Sequence, residues 1–135
     1  MTATTPLAAT GLVALGGGAG AVLRYQSGRA LTALLGPATV SAFPWATLFV
    51  NIVGSLAMGL LAGWLARHGS AGETWRLLVG VGLLGGFTTF SAFSLEMMML
   101  IERGQASTAF IYAAVSVLAG VTALYIGLIA MRLAA

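Results

Sequence analysis

Asn51 stands four residues after Thr47 and four before Ser55, in a stretch from 45 to 66 that is otherwise apolar or glycine. Residues at that spacing share one helix face, so an amide and two hydroxyls form a polar stripe on an apolar rod. Thr108, Tyr112 and Ser116 repeat the device at intervals of four, and Thr88, Ser91 and Ser94 at intervals of three. Any one Ser or Thr is explained by an interhelical hydrogen bond of about 1 kcal/mol. Three aligned stripes point instead to a polar path. Asn51 is the costliest member, since its carboxamide brings both donors and acceptors into a dry setting. Walls rich in donors but without fixed positive charge suit a small anion. A cation path would call for rings of Asp or Glu, and a large anion for Arg or Lys.

Phe90 and Phe93 lie three apart on one face. An aromatic edge is electropositive, so edge-on rings can solvate an anion, although packing or lipid contact is the commoner use of phenylalanine. Glu96 follows within a turn; it either reaches lipid headgroups or stands at a pore mouth, and an intramembrane ionisable residue is a functional candidate by default. Arg24 either snorkels to the interface or draws anions into a vestibule.

These residues sit in a chain of 135 with 59% hydrophobic and only 7% charged residues. A soluble domain carries about a quarter charged residues, so this chain cannot coat itself for water, which excludes a soluble enzyme. With no cysteine, one histidine and no aspartate, thiolate metal sites, redox chemistry and a Ser-His-Asp triad are excluded too. The net charge of +3 comes from six arginines against three glutamates. That is too sparse for a nucleic-acid surface.

A membrane-spanning helix needs about 20 mostly apolar residues. Four uncharged or nearly uncharged runs qualify, and the prolines at 37 and 44 divide the second into a loop and a helix. The expected spans are 7–31, 45–66, 76–101 and 106–132, joined by loops at 36–44, 67–74 and 103–105, in one domain over 1–135. No Lys or Arg precedes Leu7, so the first run is read as a span and not as a secretory signal. Gly16–Gly20, Gly59–Gly63 and Gly82–Gly86 carry the four-residue small-residue spacing that lets membrane helices approach closely; packing within one subunit accounts for them.

In the third span, Gly85-Gly86-Phe87-Thr88-Thr89 puts two glycines, each costing about 1 kcal/mol against alanine in a helix, before a β-branched pair. Either the helix merely kinks there, or it breaks. Unwound backbone at membrane depth occurs inside protein or along a watery cavity, where freed carbonyls make a cation site. Orientation is equally telling. With the N-terminus cytoplasmic, Arg67, Arg76 and Arg132 fall inside and Arg24, Arg29 and Arg103 outside. The positive-inside rule then gives no instruction. Either a feature outside this tally fixes one orientation, or the protein inserts both ways and pairs as an antiparallel dimer.

Three stretches, GGAGAVLRY at 17–25, PWATLFVNIVGS at 44–55 and GGFTTFSAFS at 85–94, resemble in order and spacing the signature motifs of the Fluc/CrcB fluoride channel family. The resemblance covers all four spans. It implies an all-α membrane protein with four transmembrane helices and a broken third helix, assembled as an antiparallel dual-topology homodimer with two pores. It further implies passive, selective F⁻ conduction that relieves cytoplasmic fluoride, in a bacterial inner membrane. By motif position Asn51 matches the pore asparagine, Phe90 and Phe93 the phenylalanine pair, Tyr112 and Ser116 the fourth-helix polar track, Glu96 a carboxylate beside the pore and Arg24 the arginine closing the first motif. Thr47, Ser91 and Ser94 complete the fluoride pathway. Gly85 and Thr88 match residues whose carbonyls, from both subunits, hold a structural Na⁺. Ala92 departs from the threonine often found there. The rival reading is a proton-coupled exporter of the small multidrug type, for which Glu96 is the one candidate carboxylate.

Overall fold

The computed structural model describes residues 4–134, with the backbone alone at 70 and 71; the first three residues and the last one of the expected domain lie outside the described residues. Helix α1 runs Pro6–Leu35. Pro6 supplies a preset φ at the first helical position, and the Thr5 hydroxyl accepts the Ala8 N–H at 3.3 Å. Gly36, at φ +84°, ends the helix. The expected loop at 36–44 is in fact largely a short helix, α2, Pro37–Ala42. Its proline breaks the preceding helix and starts the next, which is why proline spacing alone misread it.

Helix α3 covers Trp45–His68 and stops at Gly69, at φ +49°. A 3₁₀ turn, Gly69–Gly72, leads into the short α4, Glu73–Trp75. The chain then widens into a π-helix over Arg76–Leu84, tightens into α5, Gly85–Phe87, and resumes as α6, Phe90–Glu102. Between α5 and α6, Thr88 (ψ 158°) and Thr89 (φ −150°, ψ 123°) are extended. The turn to α7, Ala106–Leu133, is a Schellman closure: Gly104, at φ +74°, donates to the Ile101 carbonyl and Gln105 to that of Leu100, both at 2.9 Å.

Among the described residues, four helical segments are long and apolar enough to cross a membrane: Pro6–Leu35, Trp45–His68, Glu73–Glu102 and Ala106–Leu133. Each outlasts its expected span, the fourth by a single residue. They pack as two parallel pairs, α1 along the π-helix and α5, and α3 along α7. Glycine permits both. A Cβ on Gly16 would strike the Leu78 carbonyl, and one on Gly20 the Leu83 carbonyl, while Gly82 and Gly86 face the backbone of Gly16 and Gly17. In the other pair Gly59 meets the Leu124 backbone and Gly127 that of Leu56. The glycine stripes therefore pack within the subunit, as their spacing suggested. The core is small, with Leu48, Leu100, Ala109 and Tyr112 at its centre, and most large apolar side chains point outward.

Candidate functional site

The extended pair at 88–89 removes backbone groups from the helical ladder, and each must find another partner where water is scarce. Asn51 supplies two. Its Nδ2 donates to the Thr89 carbonyl at 3.1 Å, and its Oδ1 accepts the Thr89 N–H at 2.8 Å. The carboxamide thus mimics a neighbouring peptide and clamps the interruption to α3. Arg24 supplies a third, its Nε donating to the Gly86 carbonyl at 3.2 Å. That bond turns the Arg24 guanidinium toward the bundle, at a carbonyl just before the interruption. Thr88 binds its own helix, donating to the Leu84 carbonyl at 2.9 Å. Thr89, which sequence reasoning left out, is the N-cap of α6: its hydroxyl accepts the Ala92 N–H at 3.2 Å. A threonine three residues before that amide was the signal available.

Thr88 lies in the extended interruption before α6 begins, so it does not continue the face of Ser91 and Ser94. Ser91 is exposed, 3.3 Å from the Thr89 hydroxyl, and Ser94 donates back to the Phe90 carbonyl at 2.9 Å. The third stripe is therefore two separate pieces.

One helical step on, Glu96 joins three helices. Thr47 on α3 donates to its Oε1 at 2.6 Å, and Tyr112 on α7 donates to its Oε2 at 2.8 Å. Tyr112 is fully buried and Thr47 nearly so. The carboxylate faces the bundle and not the headgroups; two hydroxyl donors are a better partner for it than lipid. The aromatic rings continue the line. Phe90 and Phe93 have centroids 5.6 Å apart, Phe93 and Tyr112 5.0 Å, and Tyr112 and Phe43 5.4 Å with an edge-on geometry. Phe90 is 79% exposed, whereas Phe93 packs against the core. Ser116, a turn beyond Tyr112, keeps a buried hydroxyl that lacks a protein partner among the described residues.

Cavities flank this line at either end. A groove of about 290 Å³ is bordered by Asn51, Ser55, Thr88, Thr89 and Phe90. A second cavity, about 160 Å³, is bordered by Ser41, Pro44, Glu96, Leu100 and Arg103. Of the sequence-predicted residues, Thr47, Glu96, Tyr112, Phe93 and Phe90 are joined by hydrogen bonds and ring contacts, and Asn51 borders the same groove as Phe90 and Thr88; Ser91 and Ser94 bond beside Phe90, Ser116 follows Tyr112 by one turn of α7, Gly85 opens α5, and Arg24 reaches the interruption from α1. Among the described residues no three His, Asp or Glu side chains gather as a metal site. Any cation at the interruption would be held by neutral carbonyl oxygens, a donor set that suits Na⁺.

The chain matches the family model described as "CrcB-like protein, Camphor Resistance (CrcB)" over residues 11–128. It is 60% identical to a protein of Novosphingobium aromaticivorans named "Fluoride-specific ion channel FluC", over 93% of this chain and 98% of that one. A protein of the same name from Erythrobacter litoralis is 54% identical over 98% of both chains. Another, from Caulobacter vibrioides, is 48% identical over 90% of this chain and 93% of the relative.

Proposed function

The chain belongs to the CrcB-like family, and on that premise we propose that it is a fluoride-selective channel, a multi-pass protein of the cell membrane that lets F⁻ leave the cytoplasm passively. The observation that carries this reading is the line of hydroxyls and aromatic rings from Asn51 to Glu96, found in a chain whose relatives bear the channel name. The unpartnered Ser116 hydroxyl beside that line offers a donor to a passing anion. F⁻ moves past Phe90 and Phe93, which solvate it by their edges, and exchanges hydrogen bonds with Ser116, Tyr112 and Thr47. Neutral donors hold it too weakly to trap it. Ser91 and Ser94 border the same path. Nothing in the comparisons supports the proton-coupled exporter.

The working unit of this proposal is an antiparallel dual-topology homodimer with two pores and a broken third membrane helix in each copy, in a bacterial inner membrane. Two features support a partner. The arginine tally read from the sequence gives insertion no fixed direction, and one protomer of 13.7 kDa exposes 8092 Å², against about 6,600 Å² for a compact monomer of that mass. Gly85 and Thr88 carbonyls from both copies would hold a structural Na⁺, which supplies fixed positive charge at the seam when bound. Asn51 and Arg24 keep the surrounding carbonyls in place.

Proteoliposomes loaded with fluoride and followed with a fluoride-selective electrode test the proposal. The protein should release F⁻ and retain Cl⁻. Absence of F⁻ release, or equal passage of both ions, refutes it.

A further inference from the structure

The cavity of about 160 Å³ beyond Glu96 has no part in the pathway as predicted from the sequence, yet Glu96 borders it on one side and Arg103 on another. Phe90, Phe93 and Glu96 recur every three residues along α6, and Leu100 and Arg103 continue that face to the end of the helix. About 20 Å of helix separates Phe90 from Arg103. The groove at Asn51 and the cavity at Arg103 are thus the two ends of one side-chain line. Arg103 is held at its rim, donating from Nη1 to the Ser41 carbonyl at 3.1 Å. It also occupies the C-cap of α6, at the negative end of the helix dipole, which repels anions.

We propose that this cavity is the mouth of the fluoride path at the C-terminal end of α6, and that Arg103 concentrates anions there by cancelling that negative field. The inference rests on the channel reading. Arg103 is a positioning charge, exposed to water, so its pull is modest and screened by salt. One unit charge about 7 Å away in water alters the local anion concentration about threefold, and the effect vanishes once the Debye length falls to about 3 Å at 1 M.

The test measures initial F⁻ efflux from phosphatidylcholine vesicles at ionic strengths of about 0.01 M and 1 M, set with potassium gluconate. At low ionic strength Arg103→Gln should slow efflux about threefold and Arg103→Glu about eightfold, with Arg103→Lys at the wild-type rate. At high ionic strength all four should converge. The chain contains no lysine, so Arg103→Lys introduces a single one. Acetylating that variant in detergent, beside wild type treated alike, removes the charge after folding and should reproduce the Gln rate even if Arg103→Gln fails to assemble. Efflux that ignores the charge at low ionic strength overturns the proposal, and so does a deficit that persists at 1 M, which marks a merely structural cap. Wild type that passes no F⁻ sinks the channel reading itself, a distinct result.

Discussion

Asn51 separates two accounts of a pore amide. If it only faces the ion, replacing it with leucine removes a polar group from an apolar setting and costs no stability. The structure says otherwise. Asn51→Leu deletes both bonds to the Thr89 peptide, at 3.1 and 2.8 Å, and leaves an N–H and a carbonyl without partners. Each orphaned group costs about 1–3 kcal/mol, so the loss should be about 2–6 kcal/mol. The neighbouring groove of about 290 Å³ can admit water to rehydrate them, which favours the lower half of that range. Asn51→Asp keeps an acceptor for the Thr89 N–H but loses the donor to the carbonyl, so it should cost about half as much. For flux the order reverses, because a fixed negative charge repels F⁻ and aspartate should conduct least. Stability is read from thermal unfolding in detergent and flux from fluoride efflux in vesicles. A leucine variant as stable as wild type would refute the clamp.

Glu96→Gln should keep F⁻ flux within a few-fold of wild type, since the Thr47 and Tyr112 hydroxyls can rotate to suit an amide; complete loss in the efflux assay would favour proton coupling through the carboxylate. Phe93→Ile should cut flux while size-exclusion chromatography shows the assembly unchanged, and normal flux would remove that ring from the path. Gly20→Ala drives a methyl into the Leu83 and Phe87 backbone and should destabilise by about 1–3 kcal/mol. Gly11→Ala, which meets nothing within 4 Å, should instead stabilise by about 1 kcal/mol through helix propensity. Equal melting temperatures for the two variants would deny that the α1 stripe packs against backbone.

Periodicity names the residues that share a face, but not what the face meets. The four spans and the glycine contacts were legible because each follows from local spacing and from the shortage of charge. The partners were not. Asn51 finds Thr89 across 38 residues of sequence, and Arg24 finds Gly86 across 62. No local pattern encodes either pairing. The π-helix at Arg76–Leu84 was hidden for a related reason, since its composition is that of any apolar helix and only its fit against α1 reveals the wider turn. Glu96 stayed between two readings because distance from a helix end was its sole guide, whereas the Thr47 and Tyr112 hydroxyls decide where a carboxylate can rest. The stripe of α3 therefore divides its labour: Thr47 binds the Glu96 side chain, Asn51 binds the Thr89 backbone, and Ser55 borders the groove. A stripe that reads as one surface in sequence is, in three dimensions, partly the lining of a groove and partly a brace on the interrupted helix.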